Sequence, residues 1–315
     1  MNSAARMAGF ILAGMLVSGG IAVAQTSQEY RWKDGTGYTR PADISPALPS
    51  HALPAGADLP NSSRPGSPPA RLRLQQQGTD YLAWIDNPLH GPVEAVLRFQ
   101  HRNGASSQPD LPVTLRLPAR RSVQAARITP APSAPDDFRL LLDAVPGQPG
   151  AVADDHVYRL PFPHSRIRVD QGPGGAFSHH DLENRHAVDF ALPEGTPILA
   201  AREGVVMQAE DGFETSGSER GEFVGRTNFV RILHRDGSMA VYAHLRHGGL
   251  LARPGQQVEA GQRIGISGNT GFSTAPHLHF AVQVNRGMQL ESVPFRMSGP
   301  LGELRFAQTG ESDDP

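Results

Sequence analysis

The sequence predicts an all-β protein, with an N-terminal β-sandwich-like domain followed by a C-terminal antiparallel β domain. From residue 71 onward the chain consists of short runs of alternating apolar and polar residues, separated by Gly, Pro, Asn or Asp. This pattern is typical of half-buried strands joined by turns. Apolar residues at helical spacing are nearly absent, and the 34 Gly and 28 Pro in 315 residues favour the same loop-rich class.

The composition excludes several classes of chemistry. The chain has no cysteine, which rules out disulfides, thiol nucleophiles and thiolate metal sites. Its formal net charge of −2 provides no dominant basic surface, so we expect no nucleic-acid partner. A metal site in this chain must therefore use histidine, aspartate or glutamate side chains.

The first 24 residues have the pattern of a secretory signal peptide. Arg6 precedes an apolar stretch that ends in the A-x-A sequence at residues 22–24, so residues 1–24 are expected to be cleaved. An uncleaved membrane anchor is the alternative, but the apolar run is short for a span and interrupted by Gly. We therefore expect an exported protein, periplasmic or secreted, with no membrane attachment after cleavage.

Two segments separate the signal peptide from the first strand-rich unit. Residues 25–40 are interpreted as a short aromatic segment, to which no function is attached. Residues 41–70 contain eight prolines and are predicted to form an extended, solvated linker without a core. Such a tether suits a protein that works on a large or immobile target.

Two strand-rich units follow the linker. Residues 71–163 are predicted to form the β-sandwich-like domain, where no pair of catalytic-type residues stands out, which favours a positioning or packing role. Residues 165–296 are predicted to form the second domain, and eight of the 13 histidines lie between His179 and His279. Residues 297–315 are expected to be a flexible acidic tail. The clustered histidines point to the second domain as the site of chemistry.

Two of these histidines lie one residue apart in the apolar run APHLHFAV. On a strand, His277 and His279 project from one face, and Leu278 and Phe280 project from the other. An H-x-H motif alone is weak evidence, and chance placement is the alternative. The neighbouring motifs must therefore decide its meaning.

Further candidate ligands occur in FSHHDLENRHAVDF and VYAHLRH. Asp189 stands between apolar residues, where a carboxylate is rarely buried unless it is paired or bound to a metal; an Asp bonded to backbone amides is the alternative. His244 follows an apolar strand, with a half-exposed surface histidine as the alternative, and His247 is interpreted as a surface residue. A catalytic zinc ion takes three nitrogen or oxygen ligands and keeps one position for water, so these groups are candidate zinc ligands.

With these motifs in this order, residues 171–284 resemble the catalytic domain of the lysostaphin-like (LytM-type) zinc endopeptidases, which cut peptide bridges in peptidoglycan. The resemblance rests on four landmarks: a loop bearing histidine, then AVDFALPEGTPILAAREGVV, NFVRILHRDGSMAVYAHL and GQRIGISGNTGFSTAPHLHF. The competing hydrolase signatures H-E-x-x-H and G-x-S-x-G are absent from the sequence.

The resemblance implies a role for each matching residue. It implies one zinc ion per peptidase domain, with Asp189 and His279 as two of its ligands. It also implies that His277 is a catalytic base or proton shuttle, and that His244 is the second catalytic histidine, which orients water or stabilises the oxyanion.

The third zinc ligand departs from the usual H-x-x-x-D motif of the family. The residue four positions before Asp189 is Arg185, and a guanidinium does not lose its proton to become a ligand. In one branch of the family an earlier FSH loop supplies this ligand, and FSHHDLENRHAVDF resembles that branch. The resemblance therefore implies His179 as the third ligand, with His180 and then His186 as alternatives.

Other residues are expected close to the cleft. The loop SGNTGFSTAP is expected to form turns and to wall the cleft. Asn228 and Tyr242 either line the groove or have a structural role.

The expected function is zinc-dependent hydrolysis of peptide bonds in the stems or cross-bridges of peptidoglycan by a monomeric enzyme. One alternative is a non-catalytic peptidoglycan-binding protein, or an activator of another cell-wall hydrolase, on the same fold. A second alternative is an exported endopeptidase that acts on Gly-rich proteins, because substrate choice depends on the loops around the cleft.

Overall fold

The computed structural model describes residues 31–33, 39–41, 68–133, 137–163 and 167–306. The expected signal peptide, most of the predicted linker and the end of the predicted tail lie outside these ranges. Regular structure in the described residues is β apart from one single-turn helix, which confirms the all-β prediction. None of the helices in these ranges has the length and apolarity needed to cross a bilayer.

Strands are numbered in chain order, and the first group precedes the histidine-rich unit. These strands are β1 Arg31–Lys33, β2 Thr39–Pro41, β3 Arg71–Gln77, β4 Asp80–Asp86, β5 Val93–His101, β6 Ser106–Gln108, β7 Val113–Leu117, β8 Ser122–Thr129, β9 Arg139–Pro146 and β10 Val157–Arg159. The short strands β1 and β2 pair with each other in antiparallel orientation.

The second group contains the only helix of the described residues. Its elements are β11 Val169–Gln171, β12 Val188–Ala191, β13 Pro197–Leu199, β14 Gly204–Glu210, β15 Ser216–Gly217, α1 Arg220–Phe223, β16 Phe229–Leu233, β17 Met239–Ala243, β18 Leu245–Leu250, β19 Gln257–Val258, β20 Arg263–Ser267, β21 Gly271–Phe272, β22 His277–Asn285, β23 Leu290–Ser292, β24 Arg296–Gly299 and β25 Gly302–Leu304.

Strands β3 to β9 form two sheets that share one hydrophobic core. One sheet has the order β3-β4-β8-β6 and the other β7-β5-β9. Alternation along RLRLQQQ buries Leu72 and Leu74, and Ile85 and Leu97 from the two sheets are fully buried in the same core. Period-two patterning thus produces the sandwich-like arrangement that the sequence predicts.

The core of the sandwich continues into the second unit. Met207, Met239 and Leu290, from β14, β17 and β23, belong to the same hydrophobic cluster as the sandwich. The backbone N–H of Met288 also donates to the Glu94 carboxylate at 2.7 Å. The sandwich therefore packs directly against the end of the strands that carry the candidate site.

The second unit is built on a large sheet with the strand order β11-β12-β22-β17-β16-β14-β19, and β23 pairs with β22. One face of this sheet is apolar, with Leu278, Phe280 and Tyr242 fully buried in a second core. A smaller sheet with the order β13-β20-β18 contributes Ile198 and Ile264 to that core. The opposite face of the large sheet carries Asp189 and His279, two of the candidate metal ligands.

The C-terminal segment is more ordered than the predicted flexible tail from residue 297. Residues 296–299 and 302–304 are strands β24 and β25, and Met297 is fully buried. Strand β24 pairs in parallel orientation with β10. The expectation of flexibility is wrong for these residues, because β24 pairs with β10 and β25 and Met297, Leu304 and Phe306 pack in the second core.

Candidate metal centre

The two histidines of the H-x-H motif lie on the same face of β22, as the period of a strand predicts. Leu278 and Phe280 are fully buried on the other face, and His279 is 9% exposed. The pairing of β12 with β22 sets Asp189 directly opposite His279. Cross-strand neighbours have Cβ atoms about 5 Å apart, so this register alone brings the two polar side chains together.

Asp189 is buried and contacts two histidines through one oxygen. Its Oδ1 lies 2.9 Å from Nδ1 of His279 and 3.2 Å from Nε2 of His179. The ligand atoms of these three residues all lie within 4.8 Å of one another. The structure therefore brings together the three residues that the resemblance implied as ligands.

His179 reaches the cluster from the loop between β11 and β12 and is fully buried. Its Nδ1 lies 2.8 Å from the Gly172 carbonyl oxygen, which can only accept, so Nδ1 carries the proton and Nε2 is free to bind a metal. The two alternatives are elsewhere: His180 is exposed, and His186 is held through its backbone N–H by the Ser292 hydroxyl.

The electrostatics of the cluster favour a bound cation. Burial raises the pKa of Asp189, but its contacts with His179 and His279 outweigh burial and hold that pKa well below its usual range. Without a metal, burial lowers the pKa of His179, but Asp189 in turn outweighs burial and raises that pKa, and Nε2 of His179 donates to the carboxylate when the ring is protonated. Burial lowers the pKa of His279 despite the opposing effect of Asp189. One carboxylate and two ring nitrogens thus converge in a buried place, and this donor set fits a metal ion.

Two more histidines stand beside the cluster. Nδ1 of His277 lies 2.8 Å from the Ala275 carbonyl oxygen and Nδ1 of His244 lies 2.7 Å from the Thr270 carbonyl oxygen. Both Nδ1 atoms therefore donate, which leaves both Nε2 atoms without that proton in the neutral rings. The ring centroids are 4.4 Å apart, and Nε2 of His277 lies 3.9 Å from Oδ1 of Asp189.

His244 occupies an unusual backbone conformation, with φ of 63° directly after β17. Such a conformation costs a non-glycine residue about 1–2 kcal/mol and is common at functional sites. Asn228 stabilises it, because its backbone oxygen accepts from the Leu245 N–H and its side-chain amide donates to the Leu245 carbonyl. Of the two roles considered for Asn228, the structure shows the structural one.

Burial also determines the charge of His244. It lowers the pKa of His244 well below the usual value, and the neighbouring His277 and His279 lower it further. His244 is therefore neutral near pH 7.

Tyr242 does not line the groove. Its ring is fully buried in the core, and its hydroxyl accepts from the Ala201 N–H at 2.8 Å. Its position in β17 explains this, because Tyr242 alternates with Val241 and Ala243, which face the groove. His247, by contrast, is exposed, as the sequence predicts.

The site opens into a groove of about 290 Å³. Its floor is one row across the sheet, in which cross-strand pairing aligns Asp189, His279, Ala243, Phe229 and Glu210. Phe177 and Phe272 stack in the wall, with ring centroids 4.9 Å apart, and the Arg220 guanidinium lies 5.0 Å from the Phe272 ring. The loop SGNTGFSTAP, which contains Phe272, thus walls the groove as expected.

The residues that hold the candidate ligands carried no signal in the sequence analysis. Gln171 donates to Asp189, and the Gly172 carbonyl accepts from His179. A neutral amide and a backbone carbonyl have no spacing rule that marks them. The role of Gln171 beside Asp189 could be recognised only from the pairing of β11 with β12, which sets the two residues opposite each other.

Comparison with known proteins identifies the domain that carries this site. Residues 183–291 match the profile of Peptidase family M23. The match includes Asp189, His244, His277 and His279 and begins after His179. The match to the family profile therefore does not depend on the loop that contains His179.

Curated relatives match the same region. The chain is 37% identical over 123 residues to the peptidoglycan DD-endopeptidase ShyA of Vibrio cholerae, which is 38% of this chain and 25% of that protein. It is 34% identical over 123 residues to the glycyl-glycine endopeptidase ALE-1 of Staphylococcus capitis, which is 38% of this chain and 31% of that protein. The chain thus spans less than a third of the length of these two relatives.

A solved structure also matches. The catalytic domain of the antimicrobial peptidase lysostaphin from Staphylococcus simulans is 32% identical; the match covers 41% of this chain and 78% of that one, with a TM-score of 0.24.

Proposed function

We propose that this chain, whose residues 183–291 form a domain of Peptidase family M23, is a zinc-dependent endopeptidase that hydrolyses peptide bonds in peptidoglycan stems or cross-bridges. The observation that carries the proposal is the convergence of His179, Asp189 and His279 beside two further histidines at a groove. Three nitrogen or oxygen ligands next to candidate proton carriers are the usual elements of a hydrolytic zinc site.

The choice of zinc rests on the donor set. Two imidazoles and one carboxylate suit zinc, and the chain has no cysteine that would favour a structural thiolate site. Zinc bound by His179, Asp189 and His279 would act as a Lewis acid and lower the pKa of a water molecule from about 15.7 to about 7.

His277 is proposed as the group that moves protons. Its Nδ1–H is directed to the Ala275 carbonyl, so Nε2 is the nitrogen that can take a proton from water and later give one to the leaving amine. This Nε2 lies at the groove, 3.9 Å from Oδ1 of the proposed ligand Asp189.

His244 is proposed to orient the attacking water, because its neutral ring leaves Nε2 as an acceptor for a water O–H. It would stabilise the developing oxyanion once Nε2 has taken up a proton. It is buried, and its ring is fixed by the Thr270 carbonyl. A fixed polar group in a site that excludes water stabilises a developing charge more strongly than water does.

The substrate class is proposed from the relatives. ShyA is named a peptidoglycan DD-endopeptidase and ALE-1 a glycyl-glycine endopeptidase, so both names indicate hydrolysis of peptide bonds, and that of ShyA indicates peptidoglycan as the substrate. A groove with an aromatic wall and a floor that carries both apolar and charged side chains suits an extended peptide. A cell-wall substrate would require export, so export after cleavage of residues 1–24 belongs to the proposal. The chain is proposed to act as a monomer, with residues 71–163 and 165–296 as two domains that pack against each other after the 41–70 linker.

The proposal is tested by incubating the processed chain, residues 25–315, with purified peptidoglycan and identifying the released fragments by mass spectrometry. We expect fragments cut at a peptide bond, no release after treatment with a chelator, and recovery when zinc is added back. The masses also identify the bond. Absence of release from folded, zinc-loaded protein would contradict the proposal and favour a non-catalytic peptidoglycan-binding role.

A further inference from the structure

We propose that Gln171 is a positioning residue that orients the Asp189 carboxylate, so that Asp189 binds the metal through Oδ1 alone. This inference rests on the proposed function to the extent that the His179, Asp189 and His279 cluster binds a metal. Gln171 lines the groove, but its hydrogen bonds go to Asp189, Ser178 and Phe177 and not to the histidines. Its effect is exerted through Asp189.

Gln171 lies directly beside Asp189 in the sheet. Strands β11 and β12 pair in antiparallel orientation, with Gln171 opposite Asp189, and opposite residues of such a pair project to the same face. Nε2 of Gln171 lies 3.3 Å from Oδ2 of Asp189. Oδ1, the other oxygen, is the one that faces His179 and His279.

The orientation of the Gln171 amide is fixed by its other partners. The backbone N–H of Phe177 lies 3.1 Å from one end of the amide, and because an N–H can only donate, that end is the oxygen Oε1. The nitrogen Nε2 therefore faces the Asp189 carboxylate, and it also donates to the Ser178 hydroxyl at 2.7 Å. Each hydrogen-bonding atom of the amide thus has a complementary partner.

The same amide holds the loop that contributes His179. Phe177 and Ser178 immediately precede His179, and the Gly172 carbonyl that accepts from His179 follows Gln171 directly. Gly175 leaves room for the arrangement, because a Cβ atom there would lie 2.1 Å from Cγ of Gln171. Gln171 therefore contacts Asp189 directly and also holds the two residues that precede His179. Asp189 and His179 are the two members of the cluster that lie outside β22.

This arrangement determines how Asp189 can coordinate. A carboxylate binds a metal with one or both oxygens, and the hydrogen bond from Gln171 keeps Oδ2 turned away from the histidines. Coordination through Oδ1 alone gives three protein ligands in total. This leaves the fourth position of a tetrahedral zinc site open for water, as hydrolysis requires.

The test measures metal binding, which does not depend on turnover. The processed chain and its Gln171→Met variant, which keeps the side-chain length and removes both hydrogen-bonding atoms, are titrated with Zn²⁺ against a chromophoric chelator. Loss of a group that orients a ligand typically lowers metal affinity 10–100-fold, and we expect a loss in this range. Gln76→Met in β3, whose amide donates only to the nearby Gly78 carbonyl, is the matched control and should leave the affinity unchanged.

The visible spectrum of the Co²⁺-loaded chain reports the coordination directly. Its d–d bands are strong for four-coordinate tetrahedral Co²⁺ and weaken when a further ligand atom binds. We expect weaker bands for Gln171→Met, because Oδ2 becomes free to coordinate. A residue that only stabilised the fold would lower the unfolding midpoint of the metal-free chain without changing this spectrum.

Two further variants separate the contributions of the amide. Gln171→Glu keeps an acceptor for the Phe177 N–H and removes the donor to Asp189, so it should also lose at least 10-fold in affinity even if Gln171→Met does not fold. Ser178→Ala leaves the hydrogen bond to Asp189 intact and should change the affinity less than threefold. An equal loss in Ser178→Ala and in the Gln171 variants would mean that the loop matters rather than the orientation of Asp189, and would overturn the inference.

The outcomes distinguish this inference from the proposed function. If the unmodified chain binds metal and the Gln171 variants match it in affinity and spectrum, the inference is wrong and the proposed function stands. If the unmodified chain binds neither Zn²⁺ nor Co²⁺, the proposed function is wrong and the inference is overturned with it.

Discussion

Nε2 of His179 lies 3.3 Å from Nδ1 of His279, although the two histidines are 100 residues apart in the sequence. Oδ1 of Asp189 is within 3.2 Å of both nitrogens. Two ring nitrogens and a carboxylate oxygen this close together, in a buried place, require a cation or shared protons between them.

Substitution of a cluster histidine should abolish metal binding. We expect His279→Ala and His179→Ala to contain no stoichiometric metal after dialysis, as measured by elemental analysis. The reason is that two protein ligands hold a zinc ion far less tightly than three. His180→Ala and His186→Ala are the controls, and both should retain one metal ion per chain. Full metal content in His179→Ala would show that another residue is the third ligand.

Substitution of the two neighbouring histidines should separate metal binding from turnover. We expect His277→Ala and His244→Ala to keep their metal and to lose about 10²–10³-fold in kcat, the usual effect of removing a proton carrier or an oxyanion donor. The measurement is the rate of release of peptidoglycan fragments. His247→Ala, which removes an exposed histidine, should behave as the unmodified chain. Loss of metal in His277→Ala would place it among the ligands.

The aromatic wall of the groove should affect substrate binding rather than chemistry. Phe272→Ala removes the stacking partner of Phe177, and aromatic pairs contribute about 0.5–1.5 kcal/mol beyond the area they bury. We expect KM to rise roughly 2- to 10-fold, with kcat nearly unchanged and metal content intact. Phe99→Ala in β5 of the sandwich is the control. A fall in kcat at constant KM would show that the wall acts in the transition state.

Stability should depend on pH through His234, which is buried away from the metal cluster. Burial is the main cause that lowers its pKa from 6.5 to about 4, so the folded chain binds fewer protons than the unfolded chain between these values. The contribution of neutral His234 is fully present above about pH 6.5 and is lost as the pH falls toward 4. This amounts to about 2 kcal/mol of unfolding free energy between pH 7.5 and 5.

Urea unfolding at several pH values measures this contribution. Measured against the unmodified chain, His234→Gln should flatten the dependence of stability on pH between 7.5 and 5, whatever its effect on absolute stability. An unchanged slope in His234→Gln would mean that folding does not lower the pKa of His234.

Much of the site followed from local patterns in the sequence. The period of a strand predicts the shared face of His277 and His279, and an aspartate between apolar residues predicts the burial of Asp189. His179 was not accessible in this way, because it lies in a loop whose path depends on contacts with Gly172 and Gln171. Only the resemblance to a family indicated it, and the structure places it beside the other two.

The parts that the sequence did not predict depend on partners far along the chain. Met297 is anchored because β24 pairs with β10, some 140 positions earlier, and no local pattern around Met297 signals a strand. Tyr242 was a candidate groove residue because a tyrosine suits either face of a strand. Its orientation was decided by the hydroxyl bond to Ala201 and by the register of β17 with β22.

The long separation between β10 and β24 has a consequence for how the chain acquires its structure. A contact between distant positions requires closure of a long loop before it contributes any stability, and such topologies fold slowly. The pairing of β10 with β24 and the contact between His179 and His279 both require residues that lie 100 or more positions further along the chain. During synthesis, the nascent chain therefore cannot assemble the cluster of His179, Asp189 and His279 until β22 has emerged, and a truncated product that stops before β22 lacks His277 and His279.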